Sequence, residues 1–527
     1  MERLGLRRQT LDVDQAPPEE RITRIMNWHR RSKGLTALSA SLAIARRNCA
    51  HDIKNLLEGL EPEWSDYAAT SVYVALMGSE RRRKLGAYFT PPGLVRYLLD
   101  RAKEFGVDIT QHRMRDPAAG GAAFIVPIAR AMVCRWRADM LSDAEIVGRL
   151  SNRLMGREID PDLATLANAL LRRCLTVEYG IDHALAETLE LIATGDSLSV
   201  VTEEAADHEI GNPPFLRLTA KDSPPHASRY DDICAGRLNL YSVFVKRGLE
   251  ALPPGGILAY IIPASFIGGP EFKRFRLRIR QMADVLAVDM IDGRRTTFND
   301  VIQDTCVLVL RRRAEEVQIL VEETAASNTV SGSGVIATEG SIFLPAGDDP
   351  WVLPGTETNL PSTLNEWGYV PKIGYLVANR QQERLHQEFA PGRVPLIWAK
   401  AISQDGCFDF ERGATLRKHG WVDAPKGASY VIDRACVAVQ RTSARGQKRR
   451  ITAAEIPAEF VSAHGGVVAE NHVILLVPNR ADPVPPNQLA DAINSVEVGR
   501  QLDRMCGSAS IPARLLAVLP MPAPPHL

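Results

Sequence analysis

Gly211-Asn212-Pro213-Pro214-Phe215 closes a run, Glu203 to Ile210, that mixes acids with weakly apolar residues. The pentapeptide has the parts of a grip on a planar amine. An Asn side-chain carbonyl and a backbone carbonyl both accept hydrogen bonds from an exocyclic NH2. Two prolines stiffen the backbone and remove N–H groups that would compete. Phe215 adds a ring that can stack on a base. An ordinary proline turn carries the same letters, so the neighbouring sequence has to decide between the two.

Upstream, Leu191-Ile192-Ala193-Thr194-Gly195-Asp196 reads as a strand ending in an acid. Before it, Leu154 to Asp160 repeats the design: a strand, the acids Glu158 and Asp160, then a helix bearing Leu163, Leu166, Ala167 and Leu170. In doubly wound sheets an acid at the tip of the second strand grips a ribose diol. Earlier still, a strand is expected just before Asp116, on a thin apolar signal. A turn of small residues follows at Ala118 to Ala122, then a helix through Ile125 and Ile128. Small residues there let a ligand approach the backbone closely. The series opens with Gly86-Ala87-Tyr88-Phe89-Thr90-Pro91-Pro92. Thr90 is expected as an N-cap, with Pro91 in the first turn and Leu94, Val95, Tyr97 and Leu98 as the apolar face. Such a helix start can receive a carboxylate.

Downstream, a polar, proline-bearing stretch to about residue 236 predicts a mobile loop. A helix is expected from Leu240 to Leu252, and strands at Ile257 to Pro263, Val285 to Ile291 and Thr305 to Leu310. Alternating strands and helices give an α/β sheet.

Composition narrows the function class. The 527 residues suggest more than one domain. Sixty-three basic residues balance 63 acidic ones, so nucleic acid would have to be held by local patches. The eight cysteines are scattered without a CxxC pair, which supports neither a zinc site nor a disulfide framework; no metal is expected. Reduced thiols point to the cytoplasm. The N-terminus lacks the apolar stretch of a signal peptide, and no run approaches a membrane span.

Residues 1–85 read as a short helical N-terminal arm with basic clusters at Arg30-Arg31 and Arg81-Arg82-Arg83-Lys84. Each cluster is explained by a solvated helix face; the second, next to the core, could also meet phosphates. The arm shows no nuclease pattern. Ser327 to Gly340, rich in Ser, Thr and Gly, reads as a linker or exposed loop. Beyond it come short strands, at Leu396 to Ala399, Val431 to Gln440 and His472 to Val477, and the densest basic stretch in the chain, residues 441–450. Arg441, Arg445, Lys448, Arg449 and Arg450 there are residue types that hold phosphates and read base edges. A solvated loop is the alternative.

The ordered set Gly-x-Tyr-Phe-Thr-Pro-Pro, Asp-Pro-Ala-x-Gly, Glu-Ile-Asp-Pro, Gly-Asp and Asn-Pro-Pro-Phe resembles the S-adenosylmethionine-dependent DNA adenine-N6 methyltransferases of restriction–modification systems. Within them it is similar to the subgroup whose cofactor motifs come first and whose target-recognition domain comes last. The resemblance covers about residues 86–315. It implies a Rossmann-like methyltransferase sheet with helices on both faces over residues 86–320, and a mixed α+β DNA target-recognition domain over 321–527.

The resemblance also implies roles. Thr90 and its turn would hold the cofactor's methionine carboxylate. Asp116, Ala118 and Gly120 would line its methionine moiety. Glu158 would bind the ribose, Ile159 would pack on the adenine ring, and Asp196 would accept from the adenine amine. Asn212 and the Pro213 carbonyl would hold the target amine within the Asn212 to Phe215 turn, where Pro214 completes the motif. Phe215 would stack on the flipped base, and Phe298 would pack on its other face. The family commonly has glycine where this chain has Ala122, a small change beside intact acids. The partners so implied are double-stranded DNA and a cognate restriction endonuclease that forms no stable complex; a monomer is the simplest state. A methyltransferase for RNA or a protein glutamine is the alternative, since Asn-Pro-Pro-aromatic serves those too. The long C-terminal half with its basic stretch argues against the protein substrate. A DNA-binding subunit with a dead core is disfavoured by the intact acids and Asn212.

Overall fold

The computed structural model describes residues 16–32, 34–78, 80–82, 90–199, 205–218, 227–234, 238–292, 304–355, 360–425, 427–443, 449–506 and 510–525. They form two compact units. The first takes the described residues up to Pro263, Arg274–Leu320 and Ala325–Glu339; the second takes Ala264–Lys273, Val321–Thr324 and those from Gly340 onward.

The first unit begins with helices α1 (Pro18–Arg31), α2 (Ala37–Ala45), α3 (His51–Leu57) and α4 (Pro62–Leu76). Prolines start α1 and α4, where a missing N–H costs nothing, and Thr36 caps α2 in a reciprocal box with Ser39. The alternating part follows: α5 (Pro92–Glu104), β1 (Met114–Asp116), α6 (Ile125–Ala138), α7 (Asp143–Arg153), β2 (Leu154–Glu158), α8 (Pro161–Arg173), α9 (His183–Glu187), β3 (Ile192–Thr194), β4 (His208–Gly211), α10 (Leu240–Ala251), β5 (Ile257–Pro263), α11 (Lys273–Met282), β6 (Ala283–Ile291) and β7 (Thr305–Arg312). Strands β8 (Glu323–Ala326), β9 (Thr329–Val330) and β10 (Ile336–Thr338) come last.

The sheet runs β10-β9-β6-β7-β5-β4-β1-β2-β3. Strands β3, β2, β1, β4 and β5 are parallel, and β7 is antiparallel to both β5 and β6. The chain therefore leaves β1 toward β2 and β3, then returns to lay β4 on the other side. That reversal opens a crevice at the carboxyl ends of β1 and β4, where doubly wound sheets bind ligands. The Asn212 turn and the Asp116 turn both emerge there.

Apolar periodicity set the helix faces. Leu94, Leu98, Ile125, Ala129, Met132, Leu163, Leu166 and Leu170 are almost fully buried, together with Ile192, Ile210, Ala259 and Val307 of the sheet. Ile25, Ala68, Val72 and Tyr73 of the arm lie in this same cluster. The segment expected as a linker does something else. Met290 and Ile291 of β6 pair in parallel with Thr329 and Val330, and Ile336 turns back onto Val330. Polar composition there reflects a tight turn and buried hydrogen bonds: Ser327 Oγ donates to the Val288 carbonyl and the Asn328 N–H to Asp289. The turn also presses on α5, since a Cβ on Gly93 would lie 2.1 Å from the Ser333 carbonyl oxygen.

In the second unit, β11 (Ser341–Leu344) precedes a sheet of order β12-β19-β16-β17, formed by β12 (Tyr369–Ile373), β16 (Cys436–Gln440), β17 (Ala453–Ile456) and β19 (Val473–Pro478). Its second four-stranded sheet joins β13 (Leu385–His386), β15 (Trp421–Asp423), β14 (Arg393–Ile397) and β18 (Val468–Ala469). Alternation along β16 and β19 separates two cores. Val437, Val439, Ile474 and Leu476 face Leu489, Ile493 and Leu502, whereas Ala438, Leu475 and Val477 face Ile397, Phe410 and Val461.

Candidate active site

Four strand ends supply the site. Asp116 ends β1 and is 1% exposed; its Oδ1 accepts the Ala118 N–H at 3.1 Å. Burial pushes its carboxyl up to about 8, and the charges of Glu209 and Glu158 push the same way. Gly211 ends β4 against it: a Cβ there would stand 2.7 Å from Asp116 Oδ1. Glycine is required because the two strand ends approach so closely. Beneath them Arg115 Nε donates to Glu209 at 2.7 Å, and the Tyr260 hydroxyl donates to the same carboxylate.

Glu158 ends β2. Its Oε2 accepts the Gly120 N–H at 2.9 Å and its Oε1 the Asp160 N–H at 2.8 Å. Burial raises its carboxyl, against the pull of those two N–H groups. The small-residue turn lies down on β2, held by the Ala119 N–H on the Arg157 carbonyl at 2.9 Å and made possible by Gly156, whose Cβ would be 3.1 Å from that of Ala119. Gly120 and Ala122 adopt φ of +53° and +63°. The departure from glycine at Ala122 thus falls on a left-handed backbone, a strain of about 1–2 kcal/mol. Ile159 is 56% exposed at the strand tip, an apolar side chain left facing out. Asp196 follows β3, accepting from the Leu198 N–H at 2.9 Å and the Ser199 hydroxyl at 2.7 Å.

Thr90 is not the helix cap that its sequence suggests. Pro91 holds the N-cap position and Pro92 the first turn, with no side-chain cap. Two prolines leave the first turn fewer N–H groups to cap, which frees the Thr90 hydroxyl for another use. It accepts the Asn212 Nδ2 at 3.0 Å, joining the first and last motifs of the series. Pro213 is buried, Pro214 and Phe215 are half-buried, and Phe215 packs on the core. The chain beyond Phe215 is clasped where it leaves and returns: the Leu218 N–H donates to the Leu238 carbonyl at 2.9 Å and the Leu240 N–H to that of Leu216 at 2.8 Å. A cleft borders this region, lined by Tyr67, Thr70, Thr90, Gly121, Ala122 and Arg130 among others.

Phe298, Arg445 and Lys448 lie outside the described residues. In the second unit Arg441 donates to the Asn471 carbonyl at 3.0 Å and Arg449 is half-buried. Arg450 is buried, its Nε on Asp503 at 2.6 Å and its NH1 on the Ser443 carbonyl at 2.8 Å. Sequence reading named Asp160 at the strand tip but gave it no role of its own. It is 3% exposed, caps α8 by accepting the Asp162 N–H, and takes hydrogen bonds from Tyr73 and Arg81. The order Asp160-Pro161 before an apolar helix was its visible signal, an N-cap followed by proline at the first helical position. Among the described residues no cluster of His, Cys, Asp and Glu is arranged to hold a metal, and no helix is long and apolar enough to cross a membrane.

Residues 181–294, which hold β3, β4, the Asn212 turn, β5 and β6, match the family described as Eco57I restriction-modification methylase. The chain is 29% identical over 259 residues to the type II methyltransferase M.PaeR7I of Pseudomonas aeruginosa, covering 46% of this chain and 43% of that protein. It is 24% identical over 379 residues to M.BsuBI of Bacillus subtilis, covering 63% and 73%. The chain spans about half the length of the first curated relatives it matches, 43% and 50%. Its fold is shared with MmeI, a type IIL restriction-modification enzyme solved in complex with DNA: TM-score 0.52 at 10% identity, over 95% of this chain and 87% of that one. The DrdV–DNA complex gives TM-score 0.53 at 12% identity, over 88% and 56%.

Proposed function

We propose that the protein is a site-specific DNA methyltransferase that places a methyl group from S-adenosylmethionine on N6 of a flipped adenine, and so protects DNA from a cognate restriction endonuclease. The observation that carries this reading is the Thr90–Asn212 hydrogen bond at the β1–β4 crevice. It ties the catalytic turn to the start of the cofactor motifs. The type II methyltransferases among its relatives and the restriction–modification family match support the same reading.

The residues present fit the cofactor. The turn at Gly120 and Ala122 is bent back onto β2, and Glu158 stands at the strand tip with exposed Ile159 beside it for a flat ring. Asp116, held mostly protonated by burial, has an incentive to ionise beside a cationic group. When bound, S-adenosylmethionine supplies an electrophilic sulfonium methyl. The chain's part is to make the target nitrogen nucleophilic and to aim it. The amine lone pair is delocalised into the ring. Carbonyl oxygens of Asn212 and Pro213 that accept from its N–H groups favour the pyramidal, developing-cation form, which is selective stabilisation of the transition state. Orientation supplies much of the remaining acceleration. Extruding the base costs roughly a few kcal/mol. Stacking on Phe215, at about 1–3 kcal/mol per base, offsets part of that cost.

The test is tritiated-methyl transfer from S-adenosylmethionine into duplex DNA, RNA and protein, comparing wild type with Asn212→Ala. Label recovered as N6-methyladenine in DNA and lost in the variant is the expected result. Label confined to RNA or protein, or recovered on cytosine, overturns the assignment.

A further inference from the structure

We propose that Tyr73 and Arg81 of the N-terminal arm are positioning residues for the cofactor's ribose, holding the Glu158 carboxylate in place through Asp160. The inference rests on the methyltransferase reading and assigns part of its cofactor site to a segment that carries none of the cofactor motifs.

Both Glu158 oxygens are engaged by backbone N–H groups, Gly120 on one side and Asp160 on the other. The carboxylate therefore points where those two N–H groups put it. Gly120 is set by its own turn. The Asp160 N–H is set by the Asp160 side chain, which is almost fully buried and caps α8. A buried carboxylate needs several partners to stay in one orientation. Asp162 supplies one N–H at 3.1 Å, and the arm supplies the rest. The Tyr73 hydroxyl lies 3.2 Å from both Asp160 oxygens, and Arg81 NH2 lies 2.7 Å from Oδ1. Tyr73 is fully buried within α4, so its hydroxyl is a rigid donor. Arg81 is half-exposed and also lies 3.5 Å from Asp162.

The arm is itself anchored beside this relay. Asp66 of α4 meets Arg130 of α6 at 2.5 Å and Arg173 of α8 at 2.6 Å, and Arg130 meets Glu178 at 2.7 Å. The chain from arm to ribose site is thus continuous: α4 and Arg81, Asp160, its N–H, Glu158. Removing Arg81 leaves Asp160 short of a cation. The side chain then swings toward water, the Asp160 N–H drifts, and Glu158 loses its fixed direction.

The experiment is calorimetric titration of S-adenosylhomocysteine, and of its 2′,3′-dideoxy analogue, into wild type, Arg81→Met, Arg81→Lys and Tyr73→Phe, with the melting temperature of each unliganded variant. Arg81→Met is expected to weaken S-adenosylhomocysteine about tenfold, the loss of one charge-assisted hydrogen bond's worth of orientation. It is expected to leave the dideoxy analogue, which has no diol to grip, within about twofold of wild type. Arg81→Lys restores most of the affinity and Tyr73→Phe gives a smaller loss in the same direction. In steady state the Arg81→Met defect falls on KM for S-adenosylmethionine and spares kcat. Equal weakening of both ligands, or none of either, overturns the inference and leaves the methyltransferase reading standing. Failure of wild type to bind S-adenosylhomocysteine overturns that reading and the inference together.

Discussion

Replacing Thr90 by Val tests the contact on which the catalytic reading depends. The two side chains are nearly isosteric and Thr90 is 3% exposed, so the change removes a hydroxyl without opening a cavity. What is lost is the acceptor for Asn212 Nδ2 at 3.0 Å. The amide is planar, so anchoring its nitrogen aims its oxygen. A neutral hydrogen bond contributes about 1 kcal/mol net, a factor of about five in the population of the aimed rotamer. Loss of this acceptor by a half-buried amide adds up to about another 1 kcal/mol. Together these place the fall in kcat on duplex DNA between about 5-fold and about 30-fold. Deleting the carbonyl altogether, as in Asn212→Ala, costs about 100-fold to 1000-fold by comparison with other lost transition-state acceptors and donors. Thr90→Ser keeps the hydroxyl and stays within about threefold of wild type. The assay is single-turnover methyl transfer at saturating S-adenosylmethionine, with KM for the cofactor measured alongside. A Val variant with wild-type kcat refutes the argument. A raised cofactor KM at unchanged kcat refutes it too, and returns Thr90 to the carboxylate-holding role that the family resemblance implies.

Gly211→Ala drives a methyl to 2.7 Å from Asp116 Oδ1, a clash against a carboxylate tied down by Ala118; about 2 kcal/mol of destabilisation is expected, with loss of S-adenosylhomocysteine binding, and denaturant unfolding at wild-type midpoint contradicts it. Asp116 titrates near 8 in the fold against 3.8 in the free side chain. Its raised value means that its contribution to stability is complete below about pH 4 and is lost as pH rises through about 8. Melting temperature of the unliganded protein should therefore fall across that window, and Asp116→Asn should flatten the fall. Binding a cationic cofactor beside Asp116 favours the ionised form, so proton release at pH 7 is expected in calorimetry across buffers of different ionisation enthalpy; its absence counts against Asp116 facing the cation. Arg450→Ala breaks the half-buried ion pair with Asp503 and is expected to destabilise the second unit by about 1–2 kcal/mol. Arg449→Ala is expected to leave stability alone and to lower the salt slope of DNA binding by about one; equal salt slopes for wild type and variant remove Arg449 from the DNA contacts.

Local order along the chain was enough to reveal the α/β core. Asp116 and Glu158 close short strands, Asp196 follows β3 and Asn212 follows β4, because ligands of doubly wound sheets meet the carboxyl ends of the strands. Small residues at 118–122 and proline at Pro161 announce turns and helix starts through backbone sterics, which act between neighbours. Contacts between distant residues left weaker traces. Thr90 reads as a cap because capping is local; its partner, Asn212, is brought to it only when the sheet places β4 beside β1. Residues 327–340 look like a linker or exposed loop by composition, yet Thr329 and Val330 within them pair with β6, because a sheet edge satisfies polar backbone as well as water does. Arg450 looks like a DNA contact until Asp503 and the Ser443 carbonyl enclose it. The hold of Tyr73 and Arg81 on Asp160 spans more than one helix and a strand. Sequence by itself determined which residue types stand at the strand ends, since that depends on short-range chemistry; tertiary structure decided which of them touch, since that depends on how the sheet orders its strands.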